Sequence, residues 1–176
     1  MTAFAPQKKN FDCRSLAGLL FILSLAALAA AWAFELIGGY KPCPLCLMQR
    51  YAYYFALPAA LGAVALLSKS KNHLALVLLG LSALAYLINA GLGVYHSGVE
   101  WHLWAGPTDC SGTGGALATE AGSLLQSLSD IRVVRCDEAP WRLFGLSFAG
   151  YNVLISLGLA GLAILAAGTL RRSTYH

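Results

Sequence analysis

Residues 41–50 read KPCPLCLMQR, two thiols three positions apart with an arginine four residues after the second. A Cys-x-x-Cys pair can hold a metal, staple a turn, or cycle between dithiol and disulfide. A staple fits poorly, because so small a loop stabilises little and leaves the bond reducible. Structural zinc sites usually take two short-spaced pairs, whereas the other candidate thiols, Cys110 and Cys136, lie 26 positions apart. No metal is therefore expected, and redox work is. A helix starting at Pro44, a favoured first position, puts Cys46 in its first turn, where unpaired N–H groups and the helix dipole favour a thiolate. Arg50 projects from the same face one turn deeper and can stabilise that thiolate and any anion formed beside it.

The elements that must position these groups are membrane helices. Apolar residues make up 58% of the 176-residue chain and charged residues 11%, against roughly a quarter charged in ordinary globular proteins. Uncharged runs cover 15–34, 51–67, 74–95 and 143–170, each near the ~20 residues that cross a bilayer as a helix. Lys8 and Lys9 precede the first run as they would in a signal peptide. That run outlasts the ~7–15 residues of a signal core, however, and three more follow. The expected fold is an all-α integral membrane protein of one domain. It is a bundle of four transmembrane helices at about 15–37, 44–67, 74–95 and 143–170, with outer loops at about 38–46 and 96–142.

Charge orients the bundle. Residues 1–14, 68–73 and 171–176 carry Lys8, Lys9, Arg14, Lys69, Lys71, Arg171 and Arg172 against one acid, Asp12. The other two loops hold all the acids that follow Glu35. The positive-inside rule places both termini in the cytoplasm. The net charge of +4 reflects this asymmetry, and no basic, aromatic cluster suggests nucleic acid. Within the second outer loop, residues 116–130 (ALATEAGSLLQSLSD) have apolar positions at helical spacing, as in a short helix lying in the membrane interface. Pro58 inside the second helix predicts a kink.

Topology sorts the cysteines: Cys43, Cys46, Cys110 and Cys136 face out, and Cys13 sits at the cytoplasmic edge. Four thiols on one side suit an oxidising compartment. Three pairings are open, of which proximity favours 43–46 with 110–136. A dithiol that becomes a disulfide must hand on two electrons, and the chain has no Gly-x-Gly-x-x-Gly and no room for a flavin or nicotinamide domain. A membrane quinone could approach between the helices, its reduced oxygen stabilised by Arg50 and by His96 at the outer end of the third helix.

With these features the chain resembles the DsbB family of bacterial disulfide-bond formation proteins. KPCPLCLMQR matches the family's Cys-x-x-Cys and arginine at the mouth of helix two. The four helices, the short first loop and the long second loop with its own cysteine pair match over nearly the whole length. The resemblance implies a multi-pass protein of the bacterial inner membrane with periplasmic redox loops and, as partner, a periplasmic thioredoxin-fold protein like DsbA. That partner's dithiol attacks Cys110 of a Cys110–Cys136 disulfide, and Cys136 exchanges with Cys43–Cys46. Cys46 contacts the ring of ubiquinone or menaquinone, with Arg50 stabilising it and His96 nearby. Gln49 stands where some members have an acid, and EWHLWAGPTDC and SGTGG depart from the best-known form. Two other readings compete: a non-catalytic four-helix protein with structural disulfides, and a reducer carrying electrons outward. The reducer needs a cytoplasmic dithiol, and Cys13 is alone there.

Overall fold

The computed structural model describes residues 12–40, 42–107, 136–139 and 141–175. Four helices dominate: α1 (Cys13–Leu36), α2 (Pro44–Ser68), α3 (Asn72–Glu100) and α4 (Phe148–Tyr175). A two-stranded hairpin, β1 (Arg142–Leu143) and β2 (Leu146–Ser147), leads into α4. All four helices are long and apolar enough to cross a membrane. At 1.5 Å per residue each exceeds the roughly 30 Å hydrocarbon thickness. The residues of the interfacial helix expected at 116–130 lie outside the described residues, as does Cys110.

The helices neighbour one another in the cyclic order α1, α2, α3, α4, with α3 and α4 in closest association. Small residues make that packing possible. Ala17, Ala56, Ala60, Ala63, Ala75, Ala160, Ala163 and Ala166 are buried at the centre around Leu20, Leu79 and Tyr86. Large residues such as Ile22, Leu25, Leu84, Ile88 and Leu165 point outward. In a bilayer no hydrophobic gain drives helices together, so close backbone approach and hydrogen bonds take that role. Tyr86 donates to Ser24 Oγ at 2.6 Å, tying α3 to α1. Tyr53 of α2 donates to Asn152 Oδ1 of α4 at 2.9 Å, and Asn89 of α3 donates to Asn152 Oδ1 and Ser156 Oγ at 3.3 and 2.9 Å.

At Gly93 α3 passes close against α4. A Cβ there would lie 2.7 Å from Val153 Cγ2 and 3.3 Å from the Ala149 carbonyl oxygen. Gly93→Ala is expected to destabilise the bundle by about 1–3 kcal/mol, read as a fall in thermal midpoint in detergent, and Val153→Ala is expected to restore most of it.

The two helix ends that frame the site differ from the sequence expectation for physical reasons. Helix α3 runs five residues past 95 to Glu100, because its stop is a Schellman motif at residues 98–103 and not the end of the apolar run. Leu103 N–H donates to the Gly98 carbonyl and His102 N–H to that of Val99, with His102 in the left-handed region at φ 56°. Helix α4 begins at Phe148 because residues 142–147 form the hairpin, whose turn residues Phe144 and Gly145 both have positive φ, as a type I′ turn requires. Helix α2 continues unbroken through Pro58.

Candidate functional site

The reactive groups collect where α2 starts and α3 ends. Helix α2 begins at Pro44, and Cys43 is its N-cap: Cys43 Sγ accepts the Cys46 backbone N–H at 3.2 Å. The sequence led to Cys46 as the thiol served by the helix start. The capping sulfur is Cys43 because the cap position lies just outside the helix and aims its side chain back at the free N–H groups. Cys46 Sγ lies 2.7 Å from Cys43 Sγ, so the two can bond without moving the helix. Both are free thiols here, as is Cys13, which is buried far from the pair and donates to the Ala166 carbonyl.

His96 comes within reach because α3 extends past it. Its Nε2 is 3.7 Å from Cys43 Sγ, and Gln49 Nε2 donates to its Nδ1 at 3.0 Å, which fixes the ring with Nε2–H toward the sulfur. Glu100, one turn on, puts Oε1 3.9 Å from the same Nε2, while Ser147 of β2 donates to Oε2. Histidine, glutamate and glutamine are all buried. Cys136, fully buried and disulfide-bonded, packs with Cys43, Leu45 and Val99. The sulfurs of Cys43 and Cys136 and a ring nitrogen of His96 all lie within 4.8 Å of one another.

This setting holds the Cys43 thiol well below the ordinary range, at about 5. The Cys46 thiol contact is the largest cause. His96 and the Cys46 N–H add to it, and burial opposes them. A lowered value means the nucleophile is present above about pH 5 and lost as the pH falls through it. Iodoacetamide labelling of Cys43 in the reduced protein, followed residue by residue by mass spectrometry, is therefore expected to stay fast at neutral pH. Its midpoint should lie below the ~8.5 of a free thiol and rise in His96→Ala.

Beyond Cys46 lies a cavity of about 360 Å³ between α1, α2 and α4. Phe34, Trp141, Phe148 and Ile155 supply apolar walls. Cys46, Arg50, His96 and Glu100 line it as well, and so do Tyr53 and Asn152. Asn152 Nδ2 is a buried donor without a partner among the described residues. The cavity thus joins flat apolar surface to polar groups from two sets of residues, which suits a quinone ring with a carbonyl on each side.

Arg50 is not a lone cation. It donates from Nη1 to Glu35 Oε2 of α1 at 2.5 Å and from Nη2 to the Ala31 carbonyl at 3.4 Å, and its guanidinium lies 5.4 Å from the Trp32 ring centre. The structure therefore gathers Cys43, Cys46, Arg50, His96 and Cys136 around one end of the bundle. Sequence reading missed Glu35, Gln49, Glu100 and Asn152 as site residues. Glu100 was findable, since it follows His96 by the same four-residue step that links Cys46 to Arg50. Asn152 was a polar residue in an otherwise apolar span, a signal of function in membranes. Gln49 was marked only as standing where some members of the family have an acid, which gave no hint of its contact with His96.

Residues 13–166 match the family described as Disulfide bond formation protein DsbB. A protein named Disulfide bond formation protein B from Xanthomonas oryzae pv. oryzae is 29% identical over 177 residues, covering 97% of this chain and 98% of its own. One of the same name from Marinobacter nauticus is 29% identical, covering 81% and 87%. An uncharacterized protein of Rickettsia prowazekii is 28% identical, covering 80% of each. No solved structure matches.

Proposed function

Because this chain belongs to the DsbB family of disulfide bond formation proteins, we propose that it is an inner-membrane thiol oxidase that recharges a periplasmic thioredoxin-fold protein like DsbA. In this reading both termini are cytoplasmic, the redox loops face the periplasm, and the electrons leave to the ubiquinone or menaquinone pool. The observation that carries it is contiguity: Cys136 packs on Cys43, Cys43 touches Cys46, and Cys46 lines the cavity.

The partner's dithiol attacks Cys110 of the Cys110–Cys136 disulfide, and Cys136 leaves as a thiolate. Cys136 then attacks Cys43 of an oxidised Cys43–Cys46 pair, and Cys46 leaves as the thiolate facing the cavity. The partner's second thiol expels Cys110, Cys110 resolves the Cys136–Cys43 bond, and Cys43 and Cys46 are left as the dithiol. Each exchange breaks one S–S bond and forms another, so a disulfide enters the partner while two electrons and two protons collect on Cys43 and Cys46. His96 Nε2–H stabilises the Cys43 thiolate when it leaves, and Gln49 keeps the ring so turned. Cys46, Arg50 and His96 would hold a quinone in the cavity, and it would supply the two-electron, two-proton acceptor that lets Cys43 and Cys46 close again to a disulfide. Cys46, Arg50 and His96 face that space, the unpartnered Asn152 amide offers a further donor, and the aromatic walls exclude water.

The test uses membranes containing the protein, with quinone present or extracted, and a reduced thioredoxin-fold dithiol protein whose free thiols are counted by alkylation. Catalytic thiol loss that requires both quinone and Cys46 is expected. Loss that persists in Cys46→Ser, or no loss at all, overturns the reading in favour of structural disulfides.

A further inference from the structure

The spacing of the cysteines argues against a permanent four-thiolate zinc site, yet the fold builds a different donor set. Cys43 Sγ, Cys136 Sγ and a ring nitrogen of His96 lie within 4.8 Å of one another, and all three residues are buried. We propose that reduction of the disulfide at Cys136 completes a buried site for a soft divalent cation, zinc in particular. Its ligands are Cys43, Cys136 and His96, with Cys46 as the fourth, and occupancy stalls the chain in its reduced form.

The distances suit the metal. Zinc binds thiolate at about 2.3 Å and imidazole at about 2.0–2.1 Å, so a tetrahedral S···N edge is about 3.6 Å. Cys43 Sγ to His96 Nε2 is 3.7 Å. Cys46 Sγ, at 2.7 Å from Cys43 Sγ, must swing out to the about 3.8 Å of an S···S edge, a side-chain rotation in the first turn of α2. Three cysteines and one histidine are a common zinc set.

The surroundings are those of a ligand histidine. Such a ring is normally held by a hydrogen bond at its other nitrogen, and Gln49 occupies that place on Nδ1 at 3.0 Å. With its amide turned over, Gln49 accepts from Nδ1–H and leaves Nε2 bare for the metal.

Redox state gates the site. While Cys136 is held in a disulfide, as here, it has no thiolate to give. In the reduced protein, one Zn²⁺ with three thiols and one imidazole gives the bound complex and three protons. No electrons move in that step. A ligand that binds only the dithiol form stabilises it, making the disulfide easier to reduce and the dithiol harder to reoxidise. Metal would thus hold the protein out of turnover when electrons accumulate on it. This consequence rests on the oxidase reading, while the binding itself does not.

The experiment uses full-length protein in detergent, reduced with a phosphine, desalted without oxygen and titrated with Co²⁺, then Zn²⁺, with no quinone or partner present. One Co²⁺ per chain is expected, with the near-ultraviolet thiolate band and the visible bands of a tetrahedral site, and Zn²⁺ displacing it. Oxidised protein, the same polypeptide, should show neither. Cys136→Ser and His96→Ala should lose the stoichiometric site, and Gln49→Leu should weaken it by about 10–100-fold. Equal binding by oxidised protein, bands unchanged in Cys136→Ser, or no thiolate band on reduction overturns the proposal. Reoxidation of the reduced protein by added quinone should slow in Zn²⁺ and recover with chelator. An unchanged rate with metal bound overturns the stalling. No reoxidation even without metal overturns the oxidase reading and leaves the titration standing.

Discussion

Cys43→Ser is expected to lower quinone-dependent oxidation of a thioredoxin-fold dithiol by about 1,000-fold or more, because exchange requires a sulfur nucleophile and hydroxyl is no substitute. In the proposed relay the position is the junction: Cys43 packs on Cys136 on one side and touches Cys46 Sγ at 2.7 Å on the other. Cys46→Ser should be as inactive in turnover but fail differently. It keeps the nucleophile that meets Cys136, so a Cys43–Cys136 bond should accumulate, visible as a cross-linked peptide in a non-reducing digest. Its absence in Cys46→Ser, with that protein folded, would remove Cys43 from the junction. Cys13→Ser, at a buried site packed near Ala166, should leave turnover within about twofold of the parent, since Cys13 is no part of the exchange.

Replacing Arg50 is expected to separate stability from quinone use. The arginine side chain is 11% exposed and its partner Glu35 27%, so the pair is shielded enough that leaving either charge alone is costly. Arg50→Met should destabilise the protein by about 1–3 kcal/mol and raise the KM for quinone by about 10-fold or more, since a desolvated guanidinium–anion contact is lost. The double replacement Arg50→Met with Glu35→Gln removes both charges. It should recover most of the thermal stability and none of the quinone affinity. Recovery of both would make the arginine a purely structural partner of Glu35. A normal KM in Arg50→Met would remove it from the quinone site.

Much of the site was legible before any coordinates. Cys43, Cys46 and Arg50 were readable because a helix starting at a proline fixes their relative heights and faces by its own period. The helix spans were readable because uninterrupted apolar runs of that length have few soluble uses. In the sequence His96 was a candidate donor to a quinone oxygen at the outer end of the third helix, with nothing to link it to Cys43. Its contact with Cys43 depends on α3 continuing to Glu100, and that depends on a left-handed His102, whose sequence carries no glycine to announce it. Arg50 was seen as a cation awaiting an anion, and its pairing with Glu35 was not, because the two meet only when α1 packs on α2.

By itself the sequence determined the four spans, the start of α2 and the thiol pair at its mouth, all consequences of local period, capping and composition. Only the tertiary structure decided which sulfur caps the helix, which one Cys136 packs against, that Arg50 is neutralised across the bundle, and that a cavity stands beside Cys46. Those outcomes turn on contacts between residues far apart in the chain, such as Cys43 with His96 and Tyr53 with Asn152. Such contacts exist only once alanines and Gly93 let the helices approach closely enough for side chains on different helices to meet.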